Sequence, residues 1–390
     1  MTSKGKQTLV ILGSSLTALS IARHAHDIGL RPYIFDTQYD IAASGSFSHN
    51  KIMCCSTEYQ TLKNIESLAN NESVYLIATS DYWLKFLMEY RKQLENVYTR
   101  ILHADNEVLE TCIDKKRFAN WCKKNDIPTP KRYSRDELNY MIRTCRKIDP
   151  IFIRPVFSHG LYNFSLPKTL EINDINILKS TLDHFDNENI QYIATESLLR
   201  HNLRQYSVAL ACNGKRTVSF VSEKLRPLPE ACAVGTYVSL NPHQGTEELG
   251  RMIARLLGYY GIAEIEILFS ETTQQHYVIE VNSRPWIQYA LAPASGHDFL
   301  RLLLEPDKYN DAQEIKEGKY WLNFLGDLYF CFARTQGYVR YKRIDIIEYL
   351  RSIIRANVYS TFRWGDFKPA WYSLKYMISK RNKNHAFKDK

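Results

Sequence analysis

Two carboxylates and one carboxamide occur at alternating positions in two neighbouring segments that are predicted to be β-strands. Glu266 lies in the first segment, and Glu280 and Asn282 lie in the second. Strand side chains repeat their direction every two residues, so these three can converge if the strands pair across their turn. Their oxygens form a hard ligand set that suits Mg²⁺, which takes one or two carboxylates together with substrate phosphates. The sequence therefore predicts a magnesium site on this hairpin.

Four basic side chains could neutralise phosphate beside such a metal. Arg284 follows Asn282 by two residues on the same strand face and could hold an anion there. Lys115 opens a predicted helix, Arg154 lies within a predicted strand, and Arg226 follows a predicted hairpin. Each alone is more often a surface residue. As a set with the acids they describe a nucleoside triphosphate site, in which Mg²⁺ bridges the β- and γ-phosphate oxygens.

The N-terminal residues 8–36 predict a strand, a tight turn at Gly13, a helix and a second strand. The short apolar run favours a buried parallel strand, which is typical of a βαβ unit in an α/β domain. Only one glycine of the GxGxxG pattern is present, so a dinucleotide site has little support and a structural role is favoured.

Alternating helical and strand patterns continue to about residue 285. Proline in 127–131 ends a helix predicted over 114–126, since proline cannot continue a helix. The Asn213-Gly214 pair predicts the turn of a hairpin spanning 205–229. The other predicted elements are strands at 151–156 and 190–199, helices at 174–187 and 245–261, and a hairpin at 262–285.

The totals describe a globular protein of two or three domains. The chain has 390 residues, of which 45% are hydrophobic and 24% charged. No apolar stretch approaches the ~20 residues needed to span a bilayer, and the first apolar segment is too short for a signal peptide. A cytoplasmic location is expected, and the eight cysteines, without a CxxC pair, are expected to be reduced.

The net charge of +9 is concentrated at the C-terminal end. The segment 334–390 holds 14 Lys/Arg and four Asp/Glu, a balance of +10. Its aromatic residues are interleaved with cations, which suits an anionic membrane or glycan surface, including a peripheral location at the inner face of the membrane. A helical cap with a solvated tail explains the same pattern, whereas a nucleic-acid partner is not expected because no RNA-binding motif is recognisable.

From about residue 105 to 305 the chain resembles the ATP-grasp superfamily, which includes biotin carboxylase, carbamoyl phosphate synthetase and D-alanine–D-alanine ligase. The acidic strand followed by the E-x-N-x-R strand is the most specific part of this resemblance. EVNSRPW and the later ALAPASGHDF are similar to the pattern of predicted ATP-grasp carboxylate–amine ligases. The matching segments are DKKRFANWCKKNDIPTPK, IFIRPV, ATESLL, EKLRPLP, GIAEIEILF and VIEVNSRPW.

The resemblance implies a role for each candidate residue. It assigns Mg²⁺, with Mn²⁺ as an alternative, to Glu266, Glu280 and Asn282. It assigns the ATP phosphates to Lys115 and Arg154, and the adenine edge to the backbone of Glu196, Ser197 and Leu198. It assigns the γ-phosphate or an acyl-phosphate to Arg226 and Arg284. Two departures stand out: the family usually has lysine where Arg154 stands, and the loop at 158–163 has a single glycine where a small-residue-rich phosphate lid is usual.

The resemblance also implies the fold class and the activity. We expect an N-terminal parallel βαβ domain (1–110), a small ATP-grasp lobe (111–200), a large lobe with antiparallel sheet and metal site (201–318), and a basic helical extension (319–390). The expected enzyme is an ADP-producing ligase that joins small-molecule carboxylate and amine substrates and can form a homodimer. An envelope-polysaccharide or natural-product precursor is the expected acceptor. A non-catalytic ATP sensor and a carboxylase-type enzyme are the alternatives.

Overall fold

The N-terminal segment forms a five-stranded sheet in the order β3-β2-β1-β4-β5, in which all four pairs of neighbouring strands are parallel. All residues of β1 are buried, which explains its uniformly apolar sequence. The parallel βαβ prediction is confirmed. The strands are β1 Thr8–Leu12, β2 Arg31–Asp36, β3 Met53–Cys54, β4 Val74–Ala78 and β5 Thr99–Ile101, and the helices are α1 Leu16–Asp27, α2 Glu58–Ala69 and α3 Asp81–Leu94.

This computed structural model describes a subset of the chain and divides it into two units. The described residues are 7–38, 40–45, 53–54, 57–70, 72–95, 99–155, 170–199, 201–228, 234–309, 316–332 and 344–386. The first unit comprises 1–106, 208–264 and 282–390, and the second comprises 107–207 and 265–281. The predicted lid loop at 158–163 lies outside the described residues, and the predicted four-domain division stays a prediction.

The second unit contains a four-stranded sheet in the order β6-β9-β7-β8, in which all three pairs of neighbouring strands are antiparallel. Helices α6 and α7 cover one face of it through an apolar cluster that includes Leu138, Ile153 and Leu182. The strands are β6 Arg132–Tyr133, β7 Ile151–Pro155, β8 Leu170–Ile172 and β9 Tyr192–Glu196. The helices that begin in this part of the sequence are α4 Asn106–Ile113, α5 Lys115–Lys124, α6 Arg135–Thr144 and α7 Ile175–Asn187.

A seven-stranded sheet has the order β14-β13-β10-β11-β12-β15-β16. The predicted turn at Asn213-Gly214 joins β10 to β11. Gly214 has a φ of +85°, and Asn213 Oδ1 accepts hydrogen bonds from the backbone N–H groups of Lys215 and Arg216. The strands are β10 Leu203–Cys212, β11 Thr217–Leu228, β12 Val234–Leu240, β13 Gly261–Ser270, β14 Gln275–Asn282, β15 Tyr320–Leu322 and β16 Val358–Tyr359, and helix α8 is Gln244–Leu256.

The C-terminal extension is helical as predicted, but two short strands tie it to the sheet. β15 pairs with β12, and β16 runs parallel to β15. The remaining helices are α9 Leu291–Ala294, α10 Phe299–Leu304, α11 Phe324–Cys331, α12 Ile346–Arg355 and α13 Lys368–Ala386. Among the described helices, none is both long enough and apolar enough to cross a lipid bilayer.

Candidate active site

Strands β13 and β14, which are neighbours in the sheet, carry the predicted metal set. In the first unit, Asn282 Nδ2 donates a hydrogen bond to the buried carboxylate of Glu264, with 3.0 Å between Nδ2 and Oε2. The amide nitrogen is turned toward Glu264, so the amide oxygen of Asn282 is directed away from it. The bond also places residues 264 and 282 on the same face of the two strands.

The two predicted carboxylate ligands, Glu266 and Glu280, belong to the second unit. Both side chains are partly buried, whereas Ile265, next to Glu266 on β13, is fully buried. That Glu266 and Glu280 share one strand face and bind a metal stays a prediction.

Arg284 forms an ion pair with Asp81, the first residue of α3. Arg284 Nε donates to Asp81 Oδ1 at 2.6 Å, and neither side chain is buried. The pair is therefore reachable from solvent, and an incoming anion would compete with Asp81 for the guanidinium. Its predicted contact with a phosphate stays a prediction.

A buried histidine holds the residue that precedes Arg284. His103 Nε2 accepts a hydrogen bond from the Ala78 N–H at 2.8 Å, so Nδ1 carries the proton and donates to the Ser283 carbonyl at 3.1 Å. Burial lowers the pKa of His103 to about 4, which keeps the imidazole neutral. This neutral bridge ties the exit of β14 to the carboxyl end of β4.

Arg154 lies on β7, on the sheet face opposite to the one that α6 and α7 cover. Its neighbour Ile153 packs in the cluster with those helices, and alternation directs Arg154 the other way. Across the strand pair it lies opposite Ile193 of β9. The basic side chain therefore extends from the face that the helices leave uncovered.

Lys115 is the first residue of α5, as predicted. Asp114 starts the helix, because its Oδ1 accepts hydrogen bonds from the N–H groups of Lys116 at 2.7 Å and Arg117 at 3.0 Å. The side chain of Lys115 is partly buried. Its contact with phosphate stays a prediction.

The predicted adenine segment, Glu196 to Leu198, ends β9 and begins the next loop. The Glu196 N–H donates to the Lys131 carbonyl, and the Ser197 N–H donates to the Pro150 carbonyl, both at 2.9 Å. Side chains also hold the segment, since Glu196 Oε1 accepts from the Lys131 N–H and Ser197 Oγ donates to Glu171 Oε1. The backbone here is thus fixed from two sides.

Arg226 has partners that differ from the phosphate predicted for it. Its Nε and Nη2 donate to the two carboxylate oxygens of Asp327, both at 2.8 Å, and its Nη1 donates to Ser352 Oγ at 2.9 Å. The guanidinium also lies 4.1 Å from the ring centroid of Tyr237. All of these groups are buried, so Arg226 attaches α11 and α12 to the sheet, and its predicted contact with phosphate stays a prediction.

The structure adds two residues that the sequence analysis did not select. Glu264 lies two residues before Glu266, but its bond to Asn282 depends on the strand pairing. His103 stood in no motif, and its carbonyl partner, Ser283, is 180 residues away in the sequence. An acidic residue within the same apolar strand as a predicted metal ligand is the signal that could have pointed to Glu264.

The N-terminal turn uses its polar groups internally. Asp36 Oδ2 accepts a hydrogen bond from Ser14 Oγ, and its Oδ1 accepts from Trp83 Nε1 at 3.2 Å. A Cβ on Gly13 would lie 2.3 Å from Thr79 Oγ1, so the turn is closed by protein atoms. These contacts agree with the structural interpretation of this βα unit.

The fold is similar to solved structures of several ligases and carboxylases. N5-carboxyaminoimidazole synthetase from Staphylococcus aureus, solved with ADP, has a TM-score of 0.62 and 15% identity over 84% of this chain and 86% of that chain. N5-carboxyaminoimidazole synthase from Aspergillus clavatus, solved with ADP and 5-aminoimidazole ribonucleotide, has a TM-score of 0.60 and 12% identity over 81% and 80%. This is the ATP-grasp fold.

A third similar structure is the biotin carboxylase domain of Hydrogenobacter thermophilus 2-oxoglutarate carboxylase, solved as a dimer with MgADP, ADP and bicarbonate. Its TM-score is 0.59 and its identity 12%, over 80% of this chain and 73% of that chain. No protein-family model matches the sequence. The fold prediction is confirmed by these likenesses.

The donor chemistry of the ATP-grasp hairpin fits a magnesium ion. Within the described ranges, no group of three or more His, Cys, Asp and Glu side chains could hold a metal. The predicted set has two carboxylates and one amide, which suits an ion that keeps several waters and takes its other ligands from phosphate. Such a set makes a weak site without nucleotide, because the phosphates supply much of the coordination.

Proposed function

We propose that this protein is an ATP-dependent ligase that joins a carboxylate to an amine through an acyl-phosphate and releases ADP. The observation that carries the proposal is the hydrogen bond between Glu264 and Asn282. It fixes the amide of Asn282, which together with Glu266 and Glu280 would supply the oxygen-rich set that MgATP chemistry needs. The ATP-grasp fold supports the same reaction class.

In this proposal, the second unit binds the nucleotide. Lys115 and Arg154 bind the phosphates, which is supported by the placement of Arg154 on the face opposite to the one that α6 and α7 cover. The Glu196–Leu198 segment reads the adenine edge. Since the N–H groups of Glu196 and Ser197 are used within the unit, the Ser197 carbonyl and the Leu198 N–H would make these contacts.

Glu266, Glu280 and Asn282 would hold Mg²⁺, with Mn²⁺ as the alternative ion. When bound, the ion would offset the charge that develops on the phosphate oxygens during the reaction. Glu264 acts as a positioning residue: its hydrogen bond keeps the nitrogen of the Asn282 amide turned away from the ligand side. Ligand orientation by such neighbours is worth about 10–100-fold in metal affinity or activity.

The proposed chemistry has two displacements. A substrate carboxylate oxygen attacks the γ-phosphorus, the bond from that phosphorus to the β–γ bridging oxygen breaks, and ADP leaves. The amine nitrogen then attacks the acyl carbon, phosphate leaves, and the nitrogen loses a proton. Arg284 would neutralise the acyl-phosphate once the anion displaces Asp81, so the protein mainly positions and stabilises charge.

The finer part of the proposal concerns the substrates and the partners. We infer that one substrate belongs to an envelope-polysaccharide or natural-product precursor, such as a lipid-linked sugar acid, and that the other is an amino acid. This inference rests on fold-level analogy and on the basic C-terminal segment, which would contact an anionic membrane or glycan. A homodimer is proposed because the H. thermophilus domain was solved as a dimer.

A carboxylase-type reaction is the second candidate. It is favoured by the likeness to a biotin carboxylase domain that was solved with bicarbonate. A non-catalytic ATP sensor is the third, favoured by Arg226, whose guanidinium is committed to Asp327. The three differ in the compound that increases ADP release: a carboxylate–amine pair for the ligase, bicarbonate for the carboxylase type, and none for the sensor.

The deciding experiment measures ADP and phosphate released with MgATP against panels of amino acids and sugar acids, and separately against bicarbonate. We expect turnover that requires a carboxylate–amine pair and collapses in Glu280→Gln. Turnover with bicarbonate alone would identify the carboxylase type. ATP binding without turnover on any pair would identify a sensor, and no ATP binding would overturn all three.

A further inference from the structure

Helix α12 is held in the protein by one face and exposes a different, apolar face. Tyr349 and Ser352 are buried, and Ser352 Oγ accepts the hydrogen bond from Arg226. Four aliphatic residues are exposed, which we call the aliphatic stripe: Ile346 (55%), Ile347 (58%), Leu350 (53%) and Ile354 (82%). At about 100° per residue these four positions fall within an arc of about 100°. Packing therefore fixes the helix while leaving a continuous apolar stripe outside.

Cations lie immediately beside this aliphatic stripe. Arg351 and Arg355 are exposed and follow its edge by about 40° and 80° around the helix. Glu348 lies beyond both arginines at about 100° from that edge, and the exposed Asp345 caps the start of the helix. The order around the helix is apolar, basic, acidic and then buried. The basic residues thus border the stripe, as in a helix that lies in the plane of a membrane interface.

An aromatic cluster follows in the same unit. Phe362 lies 5.5 Å from both Trp364 and Phe367, measured between ring centroids. Trp364 is 81% exposed, so a large indole projects from this cluster. Tyr359 and Ile353 of α12 pack against the same small buried cluster around Ala356, and the ring centroid of Tyr359 lies 5.9 Å from that of Phe362. Exposed tryptophan beside cations is favoured at the boundary between water and lipid.

Charge decides which partner suits this surface. Segment 334–390 has a balance of +10, and one of its acids, Asp366, is buried in an ion pair with Arg23. A second copy of the chain docked on the same patch would bring four like charges, Arg351 and Arg355 from each copy, into one interface, because a two-fold interface uses the same surface of both copies. An anionic surface has no such repulsion.

We propose that the aliphatic stripe of α12 and the Trp364 cluster form a docking surface for an anionic phospholipid bilayer. The apolar side chains enter the boundary of the acyl chains, and Arg351 and Arg355 contact the headgroups. A phospholipid bilayer is thus the anionic partner of the C-terminal segment, for which the proposed function left a membrane or a glycan. It does not depend on ligase turnover, because the docking residues differ from all residues assigned to the nucleotide or metal.

Vesicle flotation with the purified full-length protein tests this surface. Vesicles of phosphatidylcholine alone are compared with vesicles containing one third phosphatidylglycerol. We expect the protein to float with the anionic vesicles and to be released by high salt. The double variant Ile347→Asp/Ile354→Asp should lose at least ten-fold in the bound-to-free ratio, and Arg351→Gln/Arg355→Gln should lose the salt-sensitive part.

Ile177→Asp is the matched control, since Ile177 is an exposed isoleucine (54%) on a helix of the second unit. It should float like the wild type. Unchanged unfolding midpoints and helix content show that the variants are folded.

Failure of the wild type to float, or equal flotation of the double variant and the control, would overturn the proposal. The proposal would also be overturned if the protein were a dimer that dissociates in the double variant, because the stripe would then bind a second copy of the chain. Binding to RNA in place of vesicles would overturn it as well. If the protein floats with anionic vesicles but shows no ATP turnover, the membrane surface is supported and the ligase proposal fails independently.

Discussion

Arg226 and Asp327 form a buried ion pair with two parallel hydrogen bonds, each 2.8 Å long, between Nε and Oδ1 and between Nη2 and Oδ2. Thr236 Oγ1 donates a further hydrogen bond to Asp327 Oδ1 at 2.7 Å. The pair joins strand β11 to helix α11, and the Ser352 contact extends it to α12. The residue selected as a phosphate ligand is therefore the attachment point of the C-terminal helices.

Removing one member of this pair should destabilise the first unit. We expect Asp327→Ala to lower the free energy of unfolding by about 3–5 kcal/mol, because it leaves the Arg226 guanidinium buried without its counter-charge. Urea denaturation followed by fluorescence measures the change. The control is Glu110→Ala, which breaks the exposed ion pair with Arg117 and should cost less than about 1 kcal/mol. Equal costs in the two variants would contradict a buried structural role.

The orientation of the Asn282 amide should control the metal requirement. We expect Glu264→Gln to reduce Mg²⁺-dependent ATP turnover by about 10–100-fold, since a glutamine no longer forces the amide nitrogen of Asn282 toward itself. Turnover is measured as a function of Mg²⁺ concentration. Glu248→Gln, a change of the same chemistry on the exposed face of α8, should behave like the wild type. An unaltered Mg²⁺ dependence in Glu264→Gln would remove Glu264 from the site.

Arg154 should contribute mainly through its charge. We expect Arg154→Ala to weaken ADP binding by at least ten-fold, while Arg154→Lys keeps most of it because lysine still neutralises phosphate. Isothermal titration calorimetry with MgADP gives both affinities. Arg143→Ala, an exposed arginine of α6, serves as the control. Full affinity in Arg154→Ala would show that the phosphates bind elsewhere.

His103 makes stability depend on pH. Its folded pKa is about 4, below the value of about 6.5 expected in the unfolded chain, so the unfolded state binds more protons between these values. The stabilisation is therefore complete above about pH 6.5 and is lost as the pH falls toward 4. His297, whose pKa is also lowered to about 4 by burial, adds to the same loss.

The test compares urea denaturation of wild type and His103→Gln at pH 7 and pH 5. We expect the wild type to lose more stability than the variant over this interval, by about 1–2 kcal/mol. Other carboxylates and histidines titrate alike in both proteins, so the difference isolates His103. The same pH dependence in both would show that the imidazole is protonated in the folded state.

Local patterns determined most of the elements and the fold class. The apolar run of β1 predicted a buried parallel strand, Asp114 marks the start of the helix at Lys115, and Asn213-Gly214 predicted the hairpin turn. These features follow from the sequence because each depends on residues a few positions apart. The spacing of Glu266, Glu280 and Asn282 likewise predicted a shared strand face.

The tertiary structure alone decided which polar groups meet. Arg226 and Asp327 are 101 residues apart, and His103 and Ser283 are 180 apart, so no local pattern relates them. A buried arginine takes whichever carboxylate the packing brings to it, because an unpaired buried charge costs too much free energy. The sequence by itself thus determined the ATP-grasp scaffold and its acidic hairpin. Packing decided that Arg226 holds the C-terminal helices and that Glu264 orients Asn282.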